Sequence, residues 1–407
     1  MNKLNLLYLT GMFPYDKDPA SGIFVLKRIE KLKSLYPLFL NIDVFALVTL
    51  YNKALVKIIK KIPEITFNNM YYNFINYIFY KTDFLDLYYK IFFKGKSYLR
   101  ISHNFFELLR QSHDIGNYNV IHAHFIQLGG FVAYEIHKNY KIPYVITAHG
   151  SDVHTNLLKD HQTYVHTLKV MEEAYRVIFV SNYLLGYSMK LGYSGKNAIV
   201  IPNGVDVEIF KPLDKDYCRS KIDKLKKDNY TVGYVGSLKK IKGVFFLPRI
   251  FKNIKDRVKN VQFLIVGDGE LRNFLIEKSK KYNLEIVFLG RVSQEKLNVL
   301  YNVMDVLVVP SLKEGFSCAI IEAQACGVPV VGSNVGGIPE AIGGSSYGRV
   351  VDLGEDFEER FAESVVDILY NKPKALKLVE RARNFSWEKI VEKEVEIYKS
   401  IYDSNLR

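Results

Sequence analysis

Two glutamates stand eight residues apart in the part of the chain with the most chemical signals. The segment Pro310 to Glu340 reads PSLKEGFSCAIIEAQACGVPVVGSNVGGIPE and contains Glu314 and Glu322. Glu314 follows an apolar run that predicts a strand, and open α/β sheets bind their ligands at the carboxyl ends of strands. Glu314 is therefore a candidate ligand contact, and a solvated loop carboxylate is the alternative.

Glu322 lies in a predicted helix from Ser317 to Cys326, which Gly327 should end. The helix is almost wholly apolar, so it should be buried with Glu322 as its only charge. A buried carboxylate without a partner costs several kcal/mol, so a ligand hydroxyl or an Arg should pair with it. The amides of Phe316 to Cys318 begin this helix and suit a phosphate. A buried structural glutamate remains the alternative.

Histidines follow or end two further predicted strands. His149 stands in TAHGSD after one strand, a pattern that equally fits a helix cap. His122 and His124 in VIHAHF are two residues apart and so share one strand face. Such a pair binds zinc only with a third ligand nearby, and no Cys pair or Glu stands at ligand spacing. We therefore predict that both line or pack within a cleft.

Taken together, these segments resemble the retaining GT-B glycosyltransferases of family 4, the glycosyl transferases group 1. The strings EGFSCAIIEAQACGVPVV and SNVGGIPE stand in the order and spacing of that family. The segments FPYDKDPASGIFVLKRIE, TAHGSD, YVGSLKKIKG, GDGE and FLGRV extend the resemblance over nearly the whole chain. It implies an α/β protein of the GT-B fold, with two Rossmann-like doubly wound domains facing across a cleft.

The resemblance also implies roles for residues of the second domain. It places Glu314 against the hydroxyls of a donor sugar, Glu322 against the ribose, and Lys242 against the diphosphate. Ser237 stands where the family usually has an Arg, so one cation is absent and diphosphate binding should weaken unless Lys239 or Lys240 takes its place. A solvated turn lysine is the alternative for Lys242. Arg291 could stack on the base or lie at the surface.

The first domain should supply the remaining site residues. Gly22, in the loop before the first helix, lets the backbone approach a phosphate closely, or it only makes a tight turn. His149 matches the active-site histidine of the family, and Asp152 either orients it or binds the acceptor. The predicted catalytic residues are His149, Glu314 and Lys242. The predicted donor-binding residues are Gly22, Ser237, Lys242, Arg291, Gly315, Phe316, Ser317 and Glu322. The acceptor or cleft candidates are Asp152, His122, His124 and Asn203.

No cofactor is expected, because the nucleotide-sugar is itself a substrate. No metal is expected either, because the resemblance implies that helix amides and Lys242 stabilise the leaving diphosphate. Two D-x-D pairs, Asp16/Asp18 and Asp214/Asp216, lie in charged loops without matching context and are predicted to be solvated. The G-x-G-x-x-G fingerprint of dinucleotide enzymes is absent from the sequence.

The elements that position these residues form two β-α series. Strand-like runs are LNLLYLT, NIDVFAL, NVIHAHF, YVITAH, RVIFVS and AIVIPN, then TVGYVGSL, QFLIVGDG, IVFLGRV, VLVVPS and PVVGS. A turn-rich, charged segment at 202–229 separates the series and is predicted to be a linker. A last helix follows Ser386, and its position leaves open which domain it packs on. We assign residues 1–205 and 386–407 to an acceptor-binding domain and 206–385 to a nucleotide-sugar-binding domain.

Composition limits the class of protein. The chain has 407 residues, 48% of them hydrophobic and 24% charged, which excludes a disordered, collagen-like or coiled-coil protein. Three cysteines cannot form a disulfide framework, and the first apolar run is too short for a signal peptide, so a cytoplasmic protein is expected. No apolar run is long enough for a transmembrane helix.

The net charge of +13 predicts an anionic partner. The basic, aromatic stretch from Lys53 to Arg110 is predicted to dock on an anionic surface at the inner face of the cell membrane. Ordinary Tyr-rich core and surface is the alternative. The basic residues form no recognisable nucleic-acid motif, so no specific nucleic acid is expected.

The resemblance implies a retaining, metal-independent glycosyltransferase that uses a UDP- or GDP-sugar donor. The acceptor would be a hydroxyl of a cell-surface polysaccharide, a lipopolysaccharide or a lipid-linked glycan. The alternatives are a nucleotide-sugar epimerase of the same fold and a noncatalytic scaffold that binds anionic ligands.

Overall fold

The structure is a computed structural model that describes residues 3–12, 22–50, 75–81, 96–158 and 160–405. The chain forms two compact units. Unit 1 comprises Met1–Ile201 and Ile390–Arg407, and unit 2 comprises Pro202–Lys389. Each unit is an α/β domain with one parallel sheet, so the predicted fold class is confirmed.

The described strands and helices of the first part of the chain follow a β-α order. They are β1 (Leu4–Thr10), α1 (Ile23–Leu35), β2 (Leu40–Leu50), β3 (Ile75–Lys81), α2 (Lys96–Ser112), β4 (Val120–His124), α3 (Phe131–Tyr140), β5 (Tyr144–Ala148), α4 (His161–Glu173), β6 (Arg176–Phe179), α5 (Asn182–Lys190) and β7 (Ala198–Val200).

The second part continues the alternation and ends in three helices. Its elements are α6 (Lys215–Ser220), β8 (Tyr230–Val235), α7 (Leu247–Arg257), β9 (Val261–Val266), α8 (Arg272–Lys281), β10 (Ile286–Gly290), α9 (Gln294–Val303), β11 (Val306–Val309), α10 (Cys318–Ala325), β12 (Val330–Ser333), α11 (Ile338–Ile342), β13 (Gly348–Val351), α12 (Phe357–Tyr370), α13 (Ala375–Arg383) and α14 (Trp387–Asn405).

Both sheets reverse their strand order at one point. The order is β3-β2-β1-β4-β5-β6-β7 in unit 1 and β10-β9-β8-β11-β12-β13 in unit 2. The reversal lies between β1 and β4 in unit 1 and between β8 and β11 in unit 2. In doubly wound sheets the loops after such strands diverge and leave a crevice at the carboxyl ends, where ligands bind.

Two strands were not among the predicted runs. β3 (INYIFYK) pairs with β2 and lies in the aromatic stretch, where Asn76 and Lys81 leave only a short apolar run between them. β13 (GRVV) pairs with β12, and its four residues include an arginine that interrupts the apolar pattern.

The segment predicted to be a linker instead packs within unit 2. Residues 215–220 form the helix α6, and Phe210 is buried with its ring 5.9 Å from that of Tyr301. Asn298 and Asn302 accept hydrogen bonds from the backbone amides of Lys211 and Leu213 at 3.2 and 2.8 Å. Side chains of α9 therefore satisfy backbone groups that the sequence pattern alone leaves without partners.

Candidate functional site

The turn that carries Lys242 is held against the loop after β11. Lys240–Lys242 forms a single helical turn that ends at Gly243, whose φ is 65°. A Cβ at Gly243 would lie 1.7 Å from the carbonyl oxygen of Pro310, so only glycine fits. The amide of Leu312 donates to the carbonyl of Ile241 at 2.9 Å. These contacts bring the end of the β8 loop to the end of β11.

Lys242 and Glu314 meet at this point. The Lys242 Nζ lies 2.6 Å from Glu314 Oε2, and the two side chains are 32% and 13% exposed. The backbone of Glu314 is fixed by the amide of Gly337, which donates to its carbonyl at 3.1 Å. Gly336 has φ 57°, and a Cβ there would lie 1.9 Å from the same carbonyl oxygen. The sequence reasoning did not assign a role to these two glycines.

Glu322 lies on α10 and is partly buried. The hydroxyl of Tyr301, fully buried on α9, donates to Glu322 Oε2 at 2.8 Å. Burial raises the pKa of Glu322 to about 7, and the Tyr301 hydrogen bond opposes this shift. Tyr301 is a partner that sequence reasoning missed, because the two residues are 21 positions apart and no local pattern connects them.

The start of α10 follows Glu314 closely in the chain. Gly315, Phe316 and Ser317 are buried, Ser317 is the N-cap, and Gly327 beyond the C-cap has φ 77°. The helix Cys318–Ala325 thus matches the predicted helix within one residue at each end. Its N-terminus supplies backbone amides and a partial positive charge shortly after Glu314, the partner of Lys242.

The remaining predicted donor residues are dispersed. Ser237 is partly buried, and its carbonyl accepts a hydrogen bond from the hydroxyl of Tyr234 at 2.9 Å. Arg291 follows β10 and is exposed. Gly22 has φ 66° and is the N-cap of α1 in unit 1. Asn203 belongs to unit 2, where its Oδ1 is buried with no hydrogen-bond partner among the described residues.

His149, in unit 1, contacts His124 and Asp152. Its Nε2 lies 2.9 Å from the Nδ1 of His124, which is fully buried at the end of β4. The buried carboxylate of Asp152 accepts hydrogen bonds from the backbone amides of His149, Gly150 and Ile126, at 2.7 to 3.3 Å. Asp152 therefore holds the backbone of the loop that carries His149.

His122 has a different environment from its neighbour on β4. It is fully buried, with Nδ1 2.5 Å from the Tyr398 hydroxyl and Nε2 2.8 Å from the Thr147 hydroxyl. The structure thus engages both of its ring nitrogens with protein groups. Burial lowers the pKa of His122, His124 and His149 well below the usual range, and Arg28 lowers each further.

Among the described residues, no group of three or more His, Cys, Asp or Glu side chains is arranged to hold a metal ion. Asp214 caps α6 by accepting from the Tyr217 amide at 2.7 Å, and Asp216 lies in its first turn. Asp16 and Asp18 lie outside the described residues.

Most of the stretch predicted to dock on a membrane also lies outside the described residues. In the part of the chain that the structure describes, no helix has the length and apolarity to span a bilayer.

Two family models match the chain over adjacent regions. The one described as "Glycosyltransferase Family 4" matches residues 77–209, and the one described as "Glycosyl transferases group 1" matches residues 219–385. Together they cover the first β-α series from residue 77 onward, most of the second series, and Lys242, Glu314 and Glu322.

The curated relatives of this chain are named as glycosyltransferases or, in one case, as a synthase. The chain is 29% identical over 299 residues to a D-inositol 3-phosphate glycosyltransferase of Mycolicibacterium smegmatis, covering 69% of this chain and 67% of that protein. It is 31% identical over 227 residues to the putative teichuronic acid biosynthesis glycosyltransferase TuaC of Bacillus subtilis, over 55% of each chain.

Solved structures share the fold over nearly the whole chain. A sucrose-phosphate synthase from Thermosynechococcus elongatus has a TM-score of 0.75 at 21% identity and covers 99% of this chain and 100% of its own. HepE of Anabaena, in complex with UDP and glucose, has a TM-score of 0.69 at 18% identity and covers 98% of this chain and 100% of its own.

Proposed function

The chain belongs to the GT-B glycosyltransferases of family 4, and from this premise we propose that it is a retaining, metal-independent transferase. It would move a sugar from a nucleotide-diphosphate donor to a hydroxyl of a polysaccharide, lipopolysaccharide or lipid-linked acceptor. The observation that carries this proposal is the Lys242–Glu314 pair at the switch point of the unit 2 sheet, directly before the N-terminus of α10.

The donor diphosphate would bind Lys242 and the amides that begin α10. A lysine and a helix N-terminus both favour an anion, and hydrogen bonds to charged groups contribute about 1.5 to 3 kcal/mol each. Their charge would stabilise the diphosphate as it leaves, which is the role that a metal ion fills in other transferases. Because Ser237 replaces the usual arginine, Lys242 would carry most of this cationic contribution.

The two carboxylates would hold the two sugars of the donor. Glu314, fixed by Gly336 and Gly337, would accept hydrogen bonds from hydroxyls of the transferred sugar. Glu322 would bind the ribose hydroxyls, which would exchange with or supplement the Tyr301 hydroxyl. A pKa near 7 lets ribose hydroxyls stabilise the ionised carboxylate, so donor binding and ionisation of Glu322 would favour each other.

Unit 1 would bind the acceptor and would provide His149. The acceptor oxygen would form its bond to the anomeric carbon on the face from which the diphosphate departs. The bond between the anomeric carbon and the phosphate oxygen would break, and a departing phosphate oxygen would take the proton of the acceptor hydroxyl. This step keeps the anomeric configuration and needs no covalent enzyme intermediate.

Calorimetric titration of UDP and of GDP, with EDTA present, tests the donor site. We expect one nucleotide to bind, and Glu322→Ala and Lys242→Met to weaken that binding by about tenfold to a hundredfold. Lys226→Met is the matched control, since it breaks an exposed Lys226–Glu285 pair of similar length, 2.7 Å, and should leave affinity unchanged. Failure of both nucleotides to bind, or an absolute need for a divalent metal, would contradict the proposal.

Product analysis tests the reaction itself. We expect transfer from the matching nucleotide-sugar to a glycan or lipid-linked hydroxyl, with the anomeric configuration kept in the product by nuclear magnetic resonance. An inverted product would contradict retention. A free epimerised nucleotide-sugar with no transfer would favour the epimerase alternative.

The basic, aromatic stretch 53–110 is the basis of a further part of the proposal. It would dock on an anionic membrane surface and so bring the enzyme to a lipid-linked or growing acceptor.

A further inference from the structure

Three aromatic side chains of unit 1 form a cluster in the segments that follow β5 and β6. They are His154, in the loop after β5, and Tyr183 and Tyr187, on α5. The centroids of the two tyrosine rings lie 6.1 Å apart, with 14° between the ring planes. The ring centroid of His154 lies 5.7 Å from that of Tyr183 and 5.1 Å from that of Tyr187. We call these three residues the aromatic platform.

The start of α5 places the two tyrosines at the carboxyl end of β6. Ser181 comes two residues after the strand and caps the helix, since its hydroxyl accepts the amide of Leu184 at 3.2 Å. The two tyrosines are four residues apart and therefore share one face of the helix. The helix packs on the turn Asp152–Asn156, which brings His154 into contact with that face.

The aromatic platform is continuous with the loop that carries His149 and Asp152. The amide of His154 donates to the carbonyl of Gly150 at 2.8 Å. The carboxylate of Asp152 accepts the amides of His149 and Gly150 at 3.1 and 2.7 Å. One compact turn thus contains both Asp152, an acceptor candidate, and one ring of the platform. Because parallel sheets bind ligands at the carboxyl ends of their strands, the platform lies on the ligand-binding side of unit 1.

The surface next to Tyr183 is open. Tyr183 is 42% exposed, Tyr187 is partly buried and His154 is buried. Gly186 is three residues after Tyr183 and so neighbours it on the helix surface. A Cβ at Gly186 would meet no atom of the described residues within 4 Å. Glycine inside a helix costs stability relative to alanine, and neither positive φ nor close packing requires it here. Its effect is to leave room beside the Tyr183 ring.

The chemistry of the aromatic platform fits the ring of a pyranose. One face of a pyranose presents C–H groups, which pack against aromatic rings, while its edge presents hydroxyls. Tyrosine combines an apolar ring with a polar hydroxyl, and sites for small molecules join aromatic surface to a few polar groups in this way. Asn182 and Thr155, each next in the chain to a platform residue, are exposed and polar. The platform contains no lysine or arginine, so it favours a neutral ligand over a phosphate.

We propose that the aromatic platform is an acceptor subsite, which binds a neutral pyranose ring of a glycan with its C–H face against Tyr183 and Tyr187. Its role toward the acceptor rests on the proposed function, whereas the binding of a pyranose does not. A transferase with this subsite selects an acceptor that already carries a sugar over a lipid phosphate that carries none.

Saturation-transfer nuclear magnetic resonance of the full chain tests the subsite. The probes are the methyl α- and β-pyranosides of glucose, galactose, mannose and N-acetylglucosamine, which have no charge and no aromatic group. We expect saturation of the C–H protons on one face of at least one probe. Tyr183→Ala and Tyr187→Ala should each weaken its binding about tenfold, the effect of one aromatic contact. No saturation of any probe, or unchanged binding in both variants, would overturn the proposal.

Two further variants separate contact with the ring from damage to the fold. Tyr183→Phe keeps the ring and should bind the probe within about threefold of the unsubstituted protein. Gly186→Leu adds a helix-favouring side chain beside Tyr183 and should block the probe without lowering the midpoint of urea unfolding. Equal losses in Tyr183→Phe and Tyr183→Ala would overturn stacking on the ring. Unchanged binding in Gly186→Leu would overturn the position of the sugar.

Tyr140→Ala is the matched control for the tyrosine variants. Tyr140 is also an exposed tyrosine of unit 1, at 37%, but it ends α3 just before β5 and so lies toward the amino end of that strand. The control should leave binding of the probe unchanged. A loss equal to that of Tyr183→Ala would show that the probe contacts exposed tyrosines in general, and would overturn a specific subsite.

Kinetics test the role of the platform toward the acceptor. With the acceptor that product analysis identifies, we expect Tyr183→Ala to raise the KM for the acceptor about tenfold and to change the KM for the nucleotide-sugar less than about twofold. An unchanged KM for the acceptor would overturn the acceptor role. If no sugar is transferred, the proposed function fails, and the methyl pyranosides still decide whether the platform binds a sugar ring.

Discussion

At the scale of single residues, the carboxyl of Glu322 is the most informative group, because burial in the folded protein disfavours its charged form. Glu322 is partly buried beside the Tyr301 hydroxyl, and burial raises its pKa from 4.5 to about 7. The folded protein therefore retains a proton that the unfolded chain has already lost at neutral pH. Linkage then requires that stability falls as the pH rises from about 4.5 to about 7 and is constant above that range.

Glu322→Gln should remove this pH dependence. At pH 8 we expect the variant to be more stable than the unsubstituted protein, by at most about 3 kcal/mol, and at pH 4.5 we expect little difference. Urea unfolding followed by the fluorescence of Trp387, the one tryptophan of the sequence and a buried residue of unit 2, measures it. Equal stabilisation at both pH values would contradict the assignment of the raised pKa to Glu322.

The same substitution should weaken nucleotide binding, because Gln cannot supply the ionised carboxylate that ribose hydroxyls would stabilise. A variant that gains stability and loses affinity is expected where a protein maintains a strained group for its function. Calorimetry at pH 8 on the two proteins tests this trade-off. Unchanged affinity in Glu322→Gln would remove Glu322 from the donor site and leave it a structural role.

Substitution of Gly336 tests how closely the backbone must approach Glu314. Gly336→Ala would place a methyl group 1.9 Å from the carbonyl oxygen of Glu314, so this loop must shift and Glu314 must move from Lys242. We expect nucleotide-sugar turnover to fall by at least about tenfold, since displacements near 1 Å have large effects on rate. Steady-state kinetics of the purified variant measure this loss.

Gly344→Ala is the control for this prediction. Gly344 also has positive φ, 107°, but a Cβ there would meet no atom within 4 Å. It therefore carries the backbone strain of an alanine without the collision with Glu314. Equal loss of turnover in both variants would show that strain in unit 2, and not the position of Glu314, controls activity.

At the scale of elements, the C-terminal helix is fixed to unit 1 by a buried ion pair. Arg28 on α1 and Glu394 on α14 are both 0% exposed, and Arg28 Nε lies 3.0 Å from Glu394 Oε1. The hydroxyls of Tyr8 and Tyr398 lie 3.0 Å apart and within 3.4 and 3.5 Å of Glu394 Oε2. Glu394, on the last helix, thereby provides a countercharge for Arg28, on the first helix.

Glu394→Gln should destabilise unit 1 by about 3 to 5 kcal/mol, because it removes the charge of Glu394 from beside the buried guanidinium of Arg28. Arg28→Met combined with Glu394→Gln should recover much of this loss. Hydrogen exchange of peptides from α1 and α14, in the single and double variants, measures it. Additive effects in the double variant would contradict a coupled pair.

The limits of sequence reasoning also appear at this scale. The helix before Gly327 was predicted to within one residue because a glycine with φ 77° and a nearby proline end it. The strands of nearly continuous apolar residues were also predicted, because a short apolar run is itself a local signal. β3 and β13 were not, since Asn76 and Lys81 leave only a short apolar run in β3 and Arg349 interrupts the apolar pattern of β13.

Side-chain partners across the fold were beyond local patterns. His124 pairs in register with Thr147 but bonds to His149 two residues later, which depends on the turn after β5. Tyr301 and Glu322 meet because α9 and α10 are neighbours in unit 2. The residue types at Lys242, Glu314 and Glu322 indicated a site. Their roles in donor binding stay predictions that the titrations above test.

At the scale of the whole molecule, the net charge of +13 favours any anionic surface, so charge alone does not identify a membrane. The location of the basic residues along the chain distinguishes docking by the stretch 53–110 from binding driven by net charge. If docking depends on the stretch 53–110, removing charge there must matter more than removing the same charge elsewhere. Near an anionic surface each basic residue contributes about 1 kcal/mol, so three of them change partitioning by about two orders of magnitude.

Flotation with liposomes makes this comparison. Lys57, Lys60 and Lys61 changed to Gln should abolish recovery with anionic vesicles at low salt, whereas the unsubstituted protein should float with anionic and not with neutral vesicles. The matched control changes Lys278, Lys280 and Lys281 of α8, which removes the same three charges from unit 2. Equal losses in the two variants would mean that net charge alone drives binding. No flotation of the unsubstituted protein would contradict membrane docking and leave soluble glycan hydroxyls as the acceptors to test.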